Sequence, residues 1–201
     1  MKQRITIIIL CALIVGAITY APYYLARTDK PAKSDVIVLL IGSKFTPRKE
    51  EVFRLIQDGY ARHLIIPAYG RISDARLFAG QPAQTNPKPS SSLIRGRVVK
   101  PAHYPKYFED THIEILEAKK MMDRAGFKSA IFVSSPYHMR RISIIANKVF
   151  AKKDYRLLFV PSRYEQHHDS FWFLKKRDLK LVTGEYSKII WFAIYGFLPS
   201  R

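Results

Sequence analysis

A single cysteine, Cys11, occurs in 201 residues. That excludes an internal disulfide framework and any multi-thiolate metal site. Glycine is sparse, at 9 residues, and follows no Gly-X-Y period. There is no heptad array and no repeat of 20–50 residues, so collagen, long coiled coil and solenoid are ruled out. Acidic side chains are also scarce: 16 stand against 34 Lys and Arg, a net charge of +18. The chain is still no disordered polycation, because 48% of it is hydrophobic and can bury a core. Its length allows one mid-sized domain and little more.

Long uncharged apolar runs are rare too, and only one is of membrane-crossing length. Residues 5–26 contain no charge. At about 1.5 Å per residue they can cross a hydrocarbon core of roughly 30 Å. Tyr20, Tyr23 and Tyr24 gather at the far end, where amphipathic rings suit the headgroup level. A cleaved signal peptide is the alternative. The run exceeds the usual apolar segment of such peptides, roughly 7–15 residues, and Pro22 follows the small residue Ala21. The predicted organisation is a tail (1–4), a transmembrane anchor (5–26), a linker (27–33) and an α/β domain (34–201). Lys2 and Arg4 precede the run, and Arg27, Lys30 and Lys33 follow it, so charge does not settle orientation. A signal-anchor arrangement places the domain outside the cytoplasm.

Of the net charge, +16 falls after residue 26. Anionic lipid, nucleic acid or an anionic substrate could each answer it. No zinc-finger spacing, RNP-like segment or helix-turn-helix supports nucleic acid. A solvated basic surface beside acidic phospholipid also accounts for the charge.

Residues 34–42 form a continuous β-branched run, as expected of a parallel strand covered on both faces. A helix follows from Pro47, closed by Gly59, and His63–Pro67 reads as a second strand. Residues 71–106 break the pattern with Pro82, Pro87, Pro89, Pro101 and Pro105, which predicts either a functional lid or a disordered insertion. Regular structure resumes with a helix from about His112 to Ala125, ended by Gly126. A strand over 128–134, a helix from about His138 to Phe150, a strand over 155–161 and a helix over 176–197 complete the domain. Alternating buried strands and helices predict a three-layer α/β fold with a mostly parallel sheet. The uncharged stretch 189–198 is too short to span a bilayer; it packs on the sheet or lies on the membrane.

Ligands of open parallel sheets bind beyond the carboxyl ends of the strands. The first strand delivers Gly42, Ser43 and Lys44 there. The strand ending at 134 delivers Ser134, Ser135, Tyr137, His138 and Arg141. Arg48, Thr111 and Glu114 begin helices that open on the same edge. His138 and Arg141 stand one turn apart and can face one ligand. His138 is the candidate general acid or base, and the remaining residues are candidates to hold an anion, helped by the helix start at Ser135. The bland alternatives are a structural histidine, helix-capping serines and surface arginines. Gly42-Ser43-Lys44 lacks the second glycine and spacer of a P-loop. His167-His168-Asp169 has no defensible ligand geometry, so no metal site is assigned and no cofactor is named.

Several of these motifs together resemble the YdcF/SanA/ElyC-like family, the DUF218 domain. Asp35-Val36-Ile37-Val38-Leu39-Leu40-Ile41-Gly42 resembles its first strand, and Arg48 with Gly59 its "R…G" helix. Asp110-Thr111-His112-Ile113-Glu114 resembles "N-T-x-x-E". Ser134-Ser135-Pro136-Tyr137-His138-Met139-Arg140-Arg141 resembles "T-S-x-x-H-x-x-R", and Glu185-Tyr186 resembles the terminal "E-Y". The chain departs from the family at Ser43-Lys44, at Pro67-Ala68-Tyr69 and at Pro105. The resemblance implies a Rossmann-like domain of the bacterial inner membrane, single-pass and extracytoplasmic. It implies work on an anionic, phosphorylated cell-wall or lipid-carrier intermediate in envelope or peptidoglycan biogenesis. Two other classes remain open: a non-catalytic membrane-surface scaffold, and a nucleotide- or methyl-donor-binding enzyme.

Overall fold

The computed structural model describes residues 2–42, 45–74, 104–151, 154–165 and 172–196. Helix α1 spans Lys2–Leu25, and its Gln3–Leu25 portion is long and apolar enough to cross a membrane. The domain then runs β1 (Val36–Leu39), α2 (Phe45–Gln57), β2 (His63–Ile66), β3 (Arg71–Asp74), α3 (Asp110–Ala125), β4 (Ser129–Ser134), α4 (Met139–Phe150), β5 (Arg156–Pro161) and α5 (Lys176–Gly196).

The fold is mixed α/β around a five-stranded sheet of order β3-β2-β1-β4-β5. β1 pairs in parallel with both β2 and β4, and β4 pairs in parallel with β5. The chain therefore leaves β1 toward one side of the sheet and later returns on the other. This reversal lies between β1 and β4, and in open sheets of this kind the carboxyl ends of the strands on either side of it are where ligands bind.

β3 is the exception. It pairs antiparallel with β2, from His63 opposite Asp74 to Ile66 opposite Arg71. These four residues fall inside the stretch where prolines break the strand–helix pattern, which predicts no strand there. They have too little apolar content to announce a strand, because an edge strand needs neither face covered. Gly70, at φ 58°, makes the reversal from the turn at Pro67–Tyr69 into β3. For residues 75–103 the expectation of a lid or a disordered insertion falls outside the described residues, as do Ser43 and Lys44.

Strand alternation divides the core. Val36, Val38, Ala130 and Phe132 join Ile115, Met122, Met139, Ile142 and Phe192 from α3, α4 and α5. Ile37, Leu39, Ile131 and Val133 join Val52, Leu55 and Ile56 from α2. Successive strand residues point to opposite faces, so these two clusters lie on opposite sides of the sheet. Every residue of β1 is fully buried, which is why the run reads as continuously apolar. The C-terminal stretch packs by one face only: Phe192 and Tyr195 are buried, while Ile190, Trp191 and Ile194 are exposed.

Candidate functional site

The carboxyl ends of β1 and β4 are joined by Arg48. Its side chain enters from the first turns of α2 and is 2% exposed. Nη1 donates to the Leu40 carbonyl at 3.0 Å, while Nε and Nη2 donate to Ser135 Oγ at 3.1 and 2.7 Å. Ser135 Oγ in turn donates to Glu165, whose two oxygens lie at 2.6 and 2.7 Å. Ser135 therefore spends its hydroxyl on this relay and makes no side-chain cap on the helical turn that follows it. Pro136 removes one further N–H from that helix start.

Gly42 is needed here for space. A Cβ at that position would stand 2.5 Å from Arg48 Nη1 and 2.8 Å from Nη2. The guanidinium is fixed by three hydrogen bonds and cannot swing away cheaply.

A second arginine lies beside this relay. Arg141, in the first turn of α4, donates Nε to Glu185 Oε2 at 2.8 Å and Nη1 to Glu109 Oε2 at 2.8 Å. Glu185 also accepts from Lys188 Nζ at 2.9 Å. His138 Nδ1 lies 3.1 Å from Glu185 Oε1, within ion-pair reach but off the direction of a hydrogen bond. Burial alone would raise the Glu185 carboxyl. His138 and Arg141 outweigh it and hold the group well below the usual carboxylate range.

Glu114 lies close enough to both arginines to feel their charges. Part of its surface remains exposed, yet protein surrounds the carboxyl closely. Burial, with help from Asp110, pushes it up to about 8 against the opposing pull of Arg48 and Arg141. Glu109 is raised as well, chiefly by burial. Burial thus favours the protonated form of Glu114 beside the two arginines. His138 is more open than the groups it adjoins, with 27% of the side chain exposed against 6% for Arg141 and 2% for Glu185.

Comparison with models of known families, with curated proteins and with solved structures returns no match. The site must be read from its own geometry.

Arg48, Glu114, Ser135, His138 and Arg141 are brought together as expected residues of one rim, with Gly42 against Arg48. Thr111 lies half-buried in the first turn of α3, and Ser134 is buried at the end of β4. Tyr137 goes elsewhere, into an apolar cluster with Leu25 and Trp172. His112, one residue past Thr111, turns into an aromatic cluster 4.4 Å from the Phe108 ring, where burial pushes it down to about 4.

Sequence reasoning did not assign Glu109 and Glu165 to the site, and reached Glu185 only through the family resemblance. One available signal was the position of Glu165, just beyond the carboxyl end of β5. The other was the general need of a buried arginine for a carboxylate.

A cavity of about 280 Å³ lies at the opposite, amino edge of the sheet, bordered by Lys33, Asp35, Arg62, His63 and Phe127. None of the expected site residues borders it. Asp35 there accepts from the Lys128 and Ser129 amides and from Ser129 Oγ, each at 2.8 Å. Burial opposes ionisation of Asp35, but these donors win and lower its pKa.

Proposed function

We propose that the protein is a membrane-anchored envelope protein with a three-layer Rossmann-like domain that binds or processes an anionic, phosphorylated cell-wall or lipid-carrier intermediate. The DUF218-like motifs are consistent with this reading. The observation that carries it is the convergence of Arg48, Glu114, Ser135, His138 and Arg141 at the crevice between β1 and β4. In this reading Glu114 donates a proton or hydrogen bond near neutral pH, and His138 is the solvent-facing acid or base. Arg48 and Arg141 meet an incoming phosphate already paired, so the ligand competes with Ser135 and the Leu40 carbonyl for Arg48 and with Glu109 and Glu185 for Arg141.

Retention of α1 as an anchor is supported by its docking: Leu25 is fully buried against Tyr137, Trp172 and Val182. The domain is assigned to the extracytoplasmic side of a bacterial inner membrane. A reporter fused after Arg201 checks this, and a cytoplasmic signal contradicts it.

Full internal pairing of both arginines favours a second reading, a non-catalytic module that docks on lipid or an envelope partner. Thermal-shift measurements on the full chain in detergent, with undecaprenyl phosphate, inorganic phosphate and nucleotides, separate the two. Stabilisation by undecaprenyl phosphate that is lost in His138→Ala supports the first reading. If a folded His138→Ala protein keeps both ligand binding and cellular function, the assigned crevice is wrong.

A further inference from the structure

Three domain side chains grip the last two turns of α1. Pro22 has no N–H, so the Ile18 carbonyl four residues earlier lacks its helical donor. Trp172 Nε1 supplies that donor at 3.0 Å. The Tyr186 hydroxyl donates to the Ala21 carbonyl at 3.0 Å, and Arg140 Nε donates to the Tyr24 carbonyl at 2.8 Å. The Arg140 guanidinium also covers the Tyr24 ring at 4.2 Å. The Ile18 and Tyr24 carbonyls are ones that α1 leaves open, Ala21 takes the Tyr186 hydroxyl as a further donor, and together the contacts fix the height of the domain along the helix.

That height conflicts with a domain held clear of the bilayer. The ungripped part of α1, from Gln3 to Ala17, reaches about 22 Å at 1.5 Å per residue. A hydrocarbon core is about 30 Å thick. The missing length has to come from the level at which Trp172 already touches Ile18. In the same short turn, Trp172–Leu174, Leu174 is 73% exposed. Leu179 on the first turns of α5 is exposed too, as are Tyr20 and Tyr23 on the helix itself. Lys176, Arg177 and Lys180 lie exposed around Leu179, with Arg177 paired to Asp178.

We propose that the Trp172–Leu174 turn and Leu179 form a lipid-inserting wedge, a second membrane contact that seats the domain in an anionic bilayer interface beside α1. Leu174 enters the acyl region, the buried Trp172 holds the turn against α1, and the basic flank meets anionic headgroups. The proposal rests on the reading of α1 as a membrane anchor and is independent of any ligand at the carboxyl-edge crevice.

Site-directed spin labelling of the full chain in nanodiscs of phosphatidylcholine and phosphatidylglycerol tests it. Single cysteines are placed at Leu174, at Ile9 within the anchor and at the exposed Arg124, in a Cys11→Ser background. The label at 174 is expected to favour oxygen over a water-soluble nickel chelate, as the label at 9 does, with nickel access several-fold below that at 124. A label at 174 as water-accessible as the one at 124, while 9 stays in lipid, overturns the wedge and leaves the anchor standing. Water access at all three positions overturns the anchor and the wedge together. Spin–spin broadening at 174 assigns the face to a second copy of the chain and overturns the lipid assignment.

Discussion

At the amino edge of the sheet one carboxylate does the joining. Asp35 collects two backbone amides and a hydroxyl at the start of β4, which ties β1 to its neighbour. At the carboxyl edge Arg48 joins the same two strands through Leu40 and Ser135, and a second guanidinium and four glutamates gather around that link. The first arrangement satisfies a charge with local donors of the backbone. The second buries charges on each other, and its pieces come from far apart: Arg48 and Ser135 are 87 residues apart, Arg141 and Glu185 are 44. A latch that only ties strands needs one acid. A buried network of paired charges contributes little net stability for its size. The open cavity at the amino edge, by contrast, has space without such convergence.

The largest expected effect tests that contrast directly. Glu185→Ala leaves Arg141 buried beside a single carboxylate and should lower unfolding stability in detergent by about 3–5 kcal/mol. Asp35→Ala strips the amino-edge latch and should cost about 1.5–3 kcal/mol, with binding at the other edge intact. Equal losses of binding in the two variants, measured by thermal shift with undecaprenyl phosphate, would erase the distinction between the edges. Gly42→Ala forces a methyl into the Arg48 guanidinium and should cost about 1–3 kcal/mol, with Arg48 displaced from Ser135. Unchanged melting of this variant would show that Arg48 is not held as described.

The smallest effect is one of pH. The folded Glu114 carboxyl is raised from 4.5 to about 8, so it binds its proton more tightly folded than unfolded. Its contribution is full below about 4.5 and fades as pH rises through about 8. Glu185 has the opposite sign, because its lowered pKa gives a contribution that is lost on acidification below the usual carboxylate range. Glu114→Gln should flatten the alkaline fall in melting temperature and leave the acid limb in place.

Much of this was legible locally. The uncharged run of α1, the buried strand β1 and the helix ends at Gly59 and Gly126 follow from periodicity and from the tolerance of glycine for positive φ, 73° and 74° here. The His138–Arg141 spacing put both residues at the start of one helix. Arg140 could not be read this way. It resembles a solvent-facing neighbour of the site, yet it clasps the Tyr24 carbonyl 116 residues away. Nor was Tyr137 legible, since an aromatic beside a histidine fits a ligand as well as it fits the buried flank of an anchor.

The amino-acid order therefore decides most of the elements, the long apolar helix α1 and the open Ile18 carbonyl that Pro22 creates, because these depend on neighbours within a few residues. Which carboxylate answers which arginine, where β3 pairs and how deep the domain sits along α1 are decided only when the strands take their register. Those contacts join residues that chain-local preferences do not link.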